Sequence, residues 1–156
     1  MNKEQIYEKI IKECNSLFEG INNPITNMAN ASAILFNSLD NINWSGFYLY
    51  MNNKLELGPF QGKPACMTIP LNKGVCGFTA INKKTTIVQN VHEFPSHIAC
   101  DSNSLSEIVV PIIINNELYG LLDIDSPIFA RFDETDQKYL ELIVDILKPH
   151  LKKFNY

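Results

Sequence analysis

Three of the four cysteines sit among turn-forming or polar residues: Gly62-Lys63-Pro64-Ala65-Cys66, Gly74-Val75-Cys76-Gly77 and His97-Ile98-Ala99-Cys100-Asp101. Downstream, an otherwise apolar pair of segments carries Glu107, Asp123 and Asp125. Thiols and carboxylic acids gathered in one pocket can attack a sulfur centre, donate a proton and then close a disulfide. Cys100 is the candidate nucleophile, because it lies on a loop and His97, when protonated, would favour its thiolate. Neighbouring Asp101 opposes that effect. Cys14 lies on an apolar helical stripe and reads as a small core hydrophobe. No cysteine pair has the C-x-x-C spacing of a zinc ribbon or a thioredoxin-type motif. A mixed site of His92, His97 and Cys100 lacks a short-spaced knuckle, so no metal is expected.

The acids pose a register question. Asp123 and Asp125 interrupt Leu121-Leu122-Asp123-Ile124-Asp125 and, by strand alternation, share one face. Ionised carboxylates on a covered face are costly unless paired or used; the bland alternative is a wet strand end near Ser126-Pro127. A plain two-residue turn at Asn115-Asn116 puts Glu107 opposite Ile124 and on the other face. One extra residue, in the loop or as a bulge, puts Glu107 opposite Asp125 and collects all three acids. The second register is predicted. Trp44 and Tyr48, four apart in a strand, also share a face, either as core or as pocket wall.

The elements that must hold these groups follow from periodicity. Ile6, Ile10, Ile11, Cys14, Leu17, Phe18 and Ile21 predict an amphipathic helix over about 3–19. Asn23-Pro24 opens a second helix to about Leu39. Strands are expected over 44–50, 55–60, 67–71, 85–89, 108–114 and 118–125, with a short helix at 74–82 and a loop over 91–104. Asp133 caps a last helix whose stripe is Tyr139, Leu140, Ile143, Ile146, Leu147, Leu151 and Phe154, with Pro149 fraying its end. The fold class is α+β: a central antiparallel six-stranded sheet, terminal helices on one face and a loop-roofed pocket on the other. The 156 residues are expected to form one domain, 1–156. The terminal helices are also compatible with a homodimer seam.

Composition excludes several classes. The apolar fraction of 46% is that of a globular chain. A net charge of −4 and a single arginine, Arg131, argue against nucleic acid and phosphate clamps. No segment reads as a secretory leader or a membrane span, so a cytoplasmic protein with reduced thiols is expected.

Taken together, Gly58 to Cys66, Gly74-Val75-Cys76-Gly77, His97 to Asp101, Ser106-Glu107-Ile108-Val109-Val110-Pro111 and Leu122-Asp123-Ile124-Asp125 resemble the signature of the free methionine-(R)-sulfoxide reductases. Asn43-Trp44-Ser45-Gly46-Phe47-Tyr48 fits the same signature. The resemblance runs from about Ile42 to Phe132 and implies a GAF fold. It implies reduction of free L-methionine (R)-S-oxide to methionine without a cofactor, with thioredoxin as the reductant. It further implies that Cys100 is the nucleophile, Cys66 resolves it by forming a disulfide, and Cys76 is an auxiliary thiol. Trp44, Tyr48, Glu107, Asp123 and Asp125 would form the substrate site, with Glu107 or Asp125 sharing the proton. Two other readings are a GAF sensor that binds a small ligand and a thiol redox switch. The thiol set joined to three acids weighs against the first, because a phosphodiester ligand has little use for three carboxylates.

Overall fold

The computed structural model describes residues 1–95 and 103–152. The sheet order is β3-β2-β1-β6-β5-β4, and every pair of neighbours is antiparallel. The strands are β1 (Trp44–Met51), β2 (Lys54–Gly62), β3 (Thr68–Pro70), β4 (Thr86–Val88), β5 (Ser106–Ile114) and β6 (Glu117–Ser126). The helices are α1 (Lys3–Phe18), α2 (Pro24–Ser38), α3 (Gly74–Asn82) and α4 (Glu134–Leu147).

Alternation along the strands divides the interior in two. On one face Phe47 and Leu49, Ile108, Val110 and Ile112, and Leu122 and Ile124 pack with Tyr7, Ile10, Phe18, Met28, Leu35, Leu140 and Ile143 from α1, α2 and α4. On the other face Trp44, Tyr48, Val109 and Leu121 pack with Val75, Cys76 and Ala80 of α3 and with Ile69 and Val88. Cys14 is fully buried in the helical layer, as a core thiol should be.

Turn chemistry sets the hairpins. Asn52 and Asn53 have φ of 54° and 61°, and Asn115 and Asn116 have 52° and 64°. Two consecutive left-handed residues match the right-handed twist of the flanking strands, which asparagine tolerates. The second hairpin begins with Ile114 opposite Glu117 and Ile113 opposite Leu118, then shifts, so that Ile112 faces Gly120 and Glu107 faces Asp125. The predicted register is thus reached by a bulge behind a two-residue turn.

Some expectations need correction. The first helix stops at Phe18, and Ile21 lies beyond it. Gly20, at φ 72°, takes the left-handed conformation that ends helices. Leu17 and Ile21, expected on the buried stripe, are exposed. As expected from Pro149, which cannot continue the ladder, the last helix ends at Leu147 and continues only as a 3-10 turn over Lys148–His150. Phe154 lies outside the described residues. The expected loop at 91–104 begins with a 3-10 turn, Val91–Glu93, capped by Asn90.

The helical layer is tied together by one buried carboxylate. Asp136, in the first turn of α4, has no exposed surface. It accepts from Tyr7 Oη at 2.6 Å, Lys3 Nζ at 2.8 Å, Arg131 Nη1 at 3.3 Å and the Asp133 backbone N–H at 2.9 Å. Removing one partner of such a network strands the others. Asp136→Ala should lower stability by about 3–5 kcal/mol in urea unfolding, with the larger part of the loss retained in a Tyr7→Phe background.

Candidate functional site

Strand pairing lays out a wall on the sheet face opposite α1, α2 and α4. One rung across the strands reads Gly62, Trp44, Asp125, Glu107 and Val88; the next reads Phe60, Gly46, Asp123, Val109 and Thr86. All three acids therefore project from one face. With Cys76 and Val75 of α3, Pro64 and Ala65 of the loop after β2, and Ser104 before β5, they line a pocket together with Trp44, Tyr48 and Ile69.

Glycine at position 46 makes room for the aromatics. A Cβ there would lie 2.8 Å from Trp44 Cη2 and 2.3 Å from Phe60 Cβ. The indole lies over this gap, stacked on Tyr48 at 6.0 Å and on Phe60 at 5.2 Å between ring centroids. The polar ends of both wall aromatics hold the loop that carries Cys66. Trp44 Nε1 donates to the Lys63 carbonyl at 3.1 Å, and Tyr48 Oη donates to the Cys66 carbonyl at 3.0 Å. The Leu57 N–H donates to the Met67 carbonyl at 2.9 Å and fixes the far side of Cys66. Cys66 is half-buried and disulfide-bonded, whereas Cys14 and Cys76 are free thiols.

Electrostatics set the protonation states. Glu107 is 8% exposed and Asp123 is 5% exposed, and no salt bridge reaches either among the described residues. Burial first, then the Asp123 and Asp125 charges, hold the Glu107 carboxyl well above the usual glutamate range. Burial also raises Asp123, offset in part by hydrogen bonds from Glu107, Cys76 and Asp125. Cys76 Sγ donates to Asp123 Oδ2 at 3.5 Å. Burial, reinforced by the three acids, raises the Cys76 thiol well above its ordinary value. Its position in the first turn of α3 would favour a thiolate, but this desolvation outweighs the helix dipole. Cys76 is thus held as a neutral donor. Asp123 Oδ1 is buried and receives no N–H, hydroxyl or thiol donor from the described residues.

Comparison with known proteins decides the family. The GAF domain model matches residues 4–148. The Escherichia coli (strain K12) protein named free methionine-R-sulfoxide reductase is 42% identical over 156 residues, which is 100% of this chain and 94% of its own. The chain belongs to the free methionine-R-sulfoxide reductase family of GAF-domain proteins. Two solved structures of that kind superpose on it closely. The fRMsr of Staphylococcus aureus in its reduced form has a TM-score of 0.90 and 50% identity, covering 92% of this chain and 94% of that one. Free methionine-R-sulfoxide reductase from Neisseria meningitidis, in complex with its substrate, has a TM-score of 0.93 and 38% identity, covering 96% and 90%.

For this member of the reductase family, the sequence-predicted Trp44, Tyr48, Cys76, Glu107, Asp123 and Asp125 all line the one pocket, and Cys66 sits on its rim loop. Cys100, His97 and Asp101 lie outside the described residues, while His92 is exposed. Pocket-lining residues not singled out as site residues from sequence include Ile69 and Val75, which carry no reactive group, and the polar Lys73 and Ser104; Gly46 serves as a spacer in the wall. The signal for Gly46 was present: it is the same-face residue between Trp44 and Tyr48, where any side chain would fill the gap.

The raised Glu107 carboxyl makes a signed prediction. A group protonated in the folded chain but ionised in the unfolded chain lowers stability as pH rises through the unfolded value of about 4.3. Glu107→Gln should therefore raise the melting temperature at pH 7, and the gain should shrink toward pH 4. Differential scanning calorimetry at both pH values checks this.

Proposed function

We propose that this protein, as a single catalytic domain over 1–156, reduces free L-methionine (R)-S-oxide to L-methionine. The observation that carries the reading is one buried wall on which Glu107, Asp123, Asp125 and Cys76 meet, beside a loop held so as to present Cys66. Full-length similarity to proteins named for this activity supports it. A phosphodiester ligand fits poorly, because the pocket wall is acidic and Arg131 is engaged with Asp136 and the Asp40 carbonyl.

The reaction needs a nucleophile, a proton donor and a grip on a small zwitterion. We assign Asp123 to the substrate ammonium, since its Oδ1 is a buried acceptor without a conventional donor. The first turn of α3, whose N-cap Lys73 makes no side-chain cap, opens on the same pocket and offers backbone N–H groups to the carboxylate. Trp44 and Tyr48 give the S-methyl group an aromatic wall. Cys100 thiolate attacks the sulfoxide sulfur while Glu107, or Asp125 across from it, gives a proton to the sulfoxide oxygen; the resulting hydroxyl passes to the Cys100 sulfur as the transient sulfur–sulfur bond breaks with its electron pair going to methionine. Methionine leaves, and Cys100 holds the oxygen as a sulfenic acid. The Cys66 thiol then condenses with it, forming the disulfide and releasing water. Thioredoxin returns both thiols by exchange and is itself oxidised.

The state of the described thiols supports these roles: Cys66 is in a disulfide, whereas Cys76 is a free thiol. Cys76, protonated and bonded to Asp123, acts as an auxiliary that orients the ammonium anchor and can take part in disulfide relay only after losing its proton. Recycling by a dithiol pool places the reaction in the cytoplasm. Exposed Leu17 on α1 and Leu142 on α4 leave apolar surface for a homodimer.

Each free methionine sulfoxide diastereomer, supplied with dithiothreitol, should give methionine only from the R form. Consumption of the S form, or of neither, would overturn the assignment. Cys100→Ser should abolish turnover. Cys66→Ser should still release about one methionine per chain in a single round before stalling; equal multiple turnover in both variants would refute the division of roles.

A further inference from the structure

The pocket holds a donor set that suits a second kind of ligand. One Cys76 sulfur, one Glu107 oxygen and one Asp123 oxygen all lie within 4.8 Å of one another. The three come from separate elements, α3, β5 and β6, so that the fold rather than a flexible loop sets their spacing. Each residue is more than nine-tenths buried. Asp123 Oδ1 is a buried oxygen that no N–H, hydroxyl or thiol of the described residues serves. Asp125, on the same rung as Glu107, offers a further carboxylate at the rim.

We propose that Cys76, Glu107 and Asp123 form a binding site for a borderline-soft divalent cation, zinc in the first instance, which excludes substrate from the pocket. The donor chemistry selects the ion. Thiolate with carboxylate suits zinc, cobalt and cadmium, which accept four ligands. Magnesium and calcium require six or more oxygens and are poorly matched by two carboxylates and a sulfur. The cation is an inhibitor here and not a cofactor. It takes the place of the substrate ammonium, the positive charge that Asp123 otherwise binds. That exclusion rests on the reductase reading, whereas the binding itself does not.

Binding is read without activity. The disulfide-intact protein, in which Cys66 is not available as a ligand, is titrated with cobalt(II) and followed by near-ultraviolet and visible absorption. The expected result is a thiolate-to-cobalt charge-transfer band, lost on adding zinc and unaffected by millimolar magnesium. Cys76→Ser should lose the band. Asp123→Asn and Glu107→Gln should keep it but weaken cobalt binding at least tenfold. Circular dichroism confirms that each variant is folded, and Cys76→Ala serves if the serine variant is not. No band at micromolar cobalt, or a band of the same affinity in the Cys76 variants, overturns the site. Zinc should raise the apparent KM for the R sulfoxide without changing kcat. Methionine release by the metal-free, EDTA-treated protein tests the reductase reading separately. Activity without a band sinks only the metal site, and a band without activity sinks only the reductase.

Discussion

The site depends on a single extra residue in the hairpin between β5 and β6. The two-asparagine turn alone would pair the strands so that Glu107 faced the helical layer, where α1, α2 and α4 pack a large apolar cluster against the sheet. The bulge between the Ile112 and Ile113 pairings advances the register by one, which in a strand exchanges the two faces. Glu107 then meets Asp125 across the ladder, and Ile108, Val110 and Ile112 turn toward the helices. One backbone irregularity thus completes the hydrophobic core and assembles the acidic wall together.

The two buried acidic centres of the molecule solve the same electrostatic problem in opposite ways. Asp136 is surrounded by cations and a phenol and is satisfied on every side, so it holds α1 to α4 as a structural pin. Glu107 and Asp123 have no such bases among the described residues. They lean on each other and on a thiol, and desolvation keeps protons on groups that would lose them in water. A site of that kind lowers stability, and it persists because the β-ladder on either side fixes its geometry. It is primed for anything that supplies positive charge or takes up a proton: an ammonium, a departing oxygen, or a metal ion.

The aromatics serve both packing and positioning. Trp44 and Tyr48 belong to the second core cluster, as strand aromatics commonly do, yet their N–H and O–H groups face the Cys66 loop and hold it by its carbonyls. Core or pocket wall was therefore a false choice. The same rings do both, and Gly46 is the vacancy that permits it.

Much of this was legible in the sequence because it rests on local rules. Period and capping located the helices, asparagine pairs marked the hairpins, and alternation put Asp123 with Asp125 and Trp44 with Tyr48. Pro149 likewise marked the fraying end of α4, whereas the end of α1 was less legible, since Gly20 acts through a backbone conformation that an apolar stripe does not reveal. The chain also held the residue types of the site and their order, enough to see the family resemblance. What only the tertiary structure decided is which groups meet: that the shift comes from a bulge, that Cys76 donates to Asp123 instead of standing as a thiolate, and that Tyr48 grips the backbone at Cys66. Those outcomes depend on distances between α3, β1, β5 and β6, elements far apart along the chain. Burial and cross-strand register exist only once the sheet has closed over its pocket.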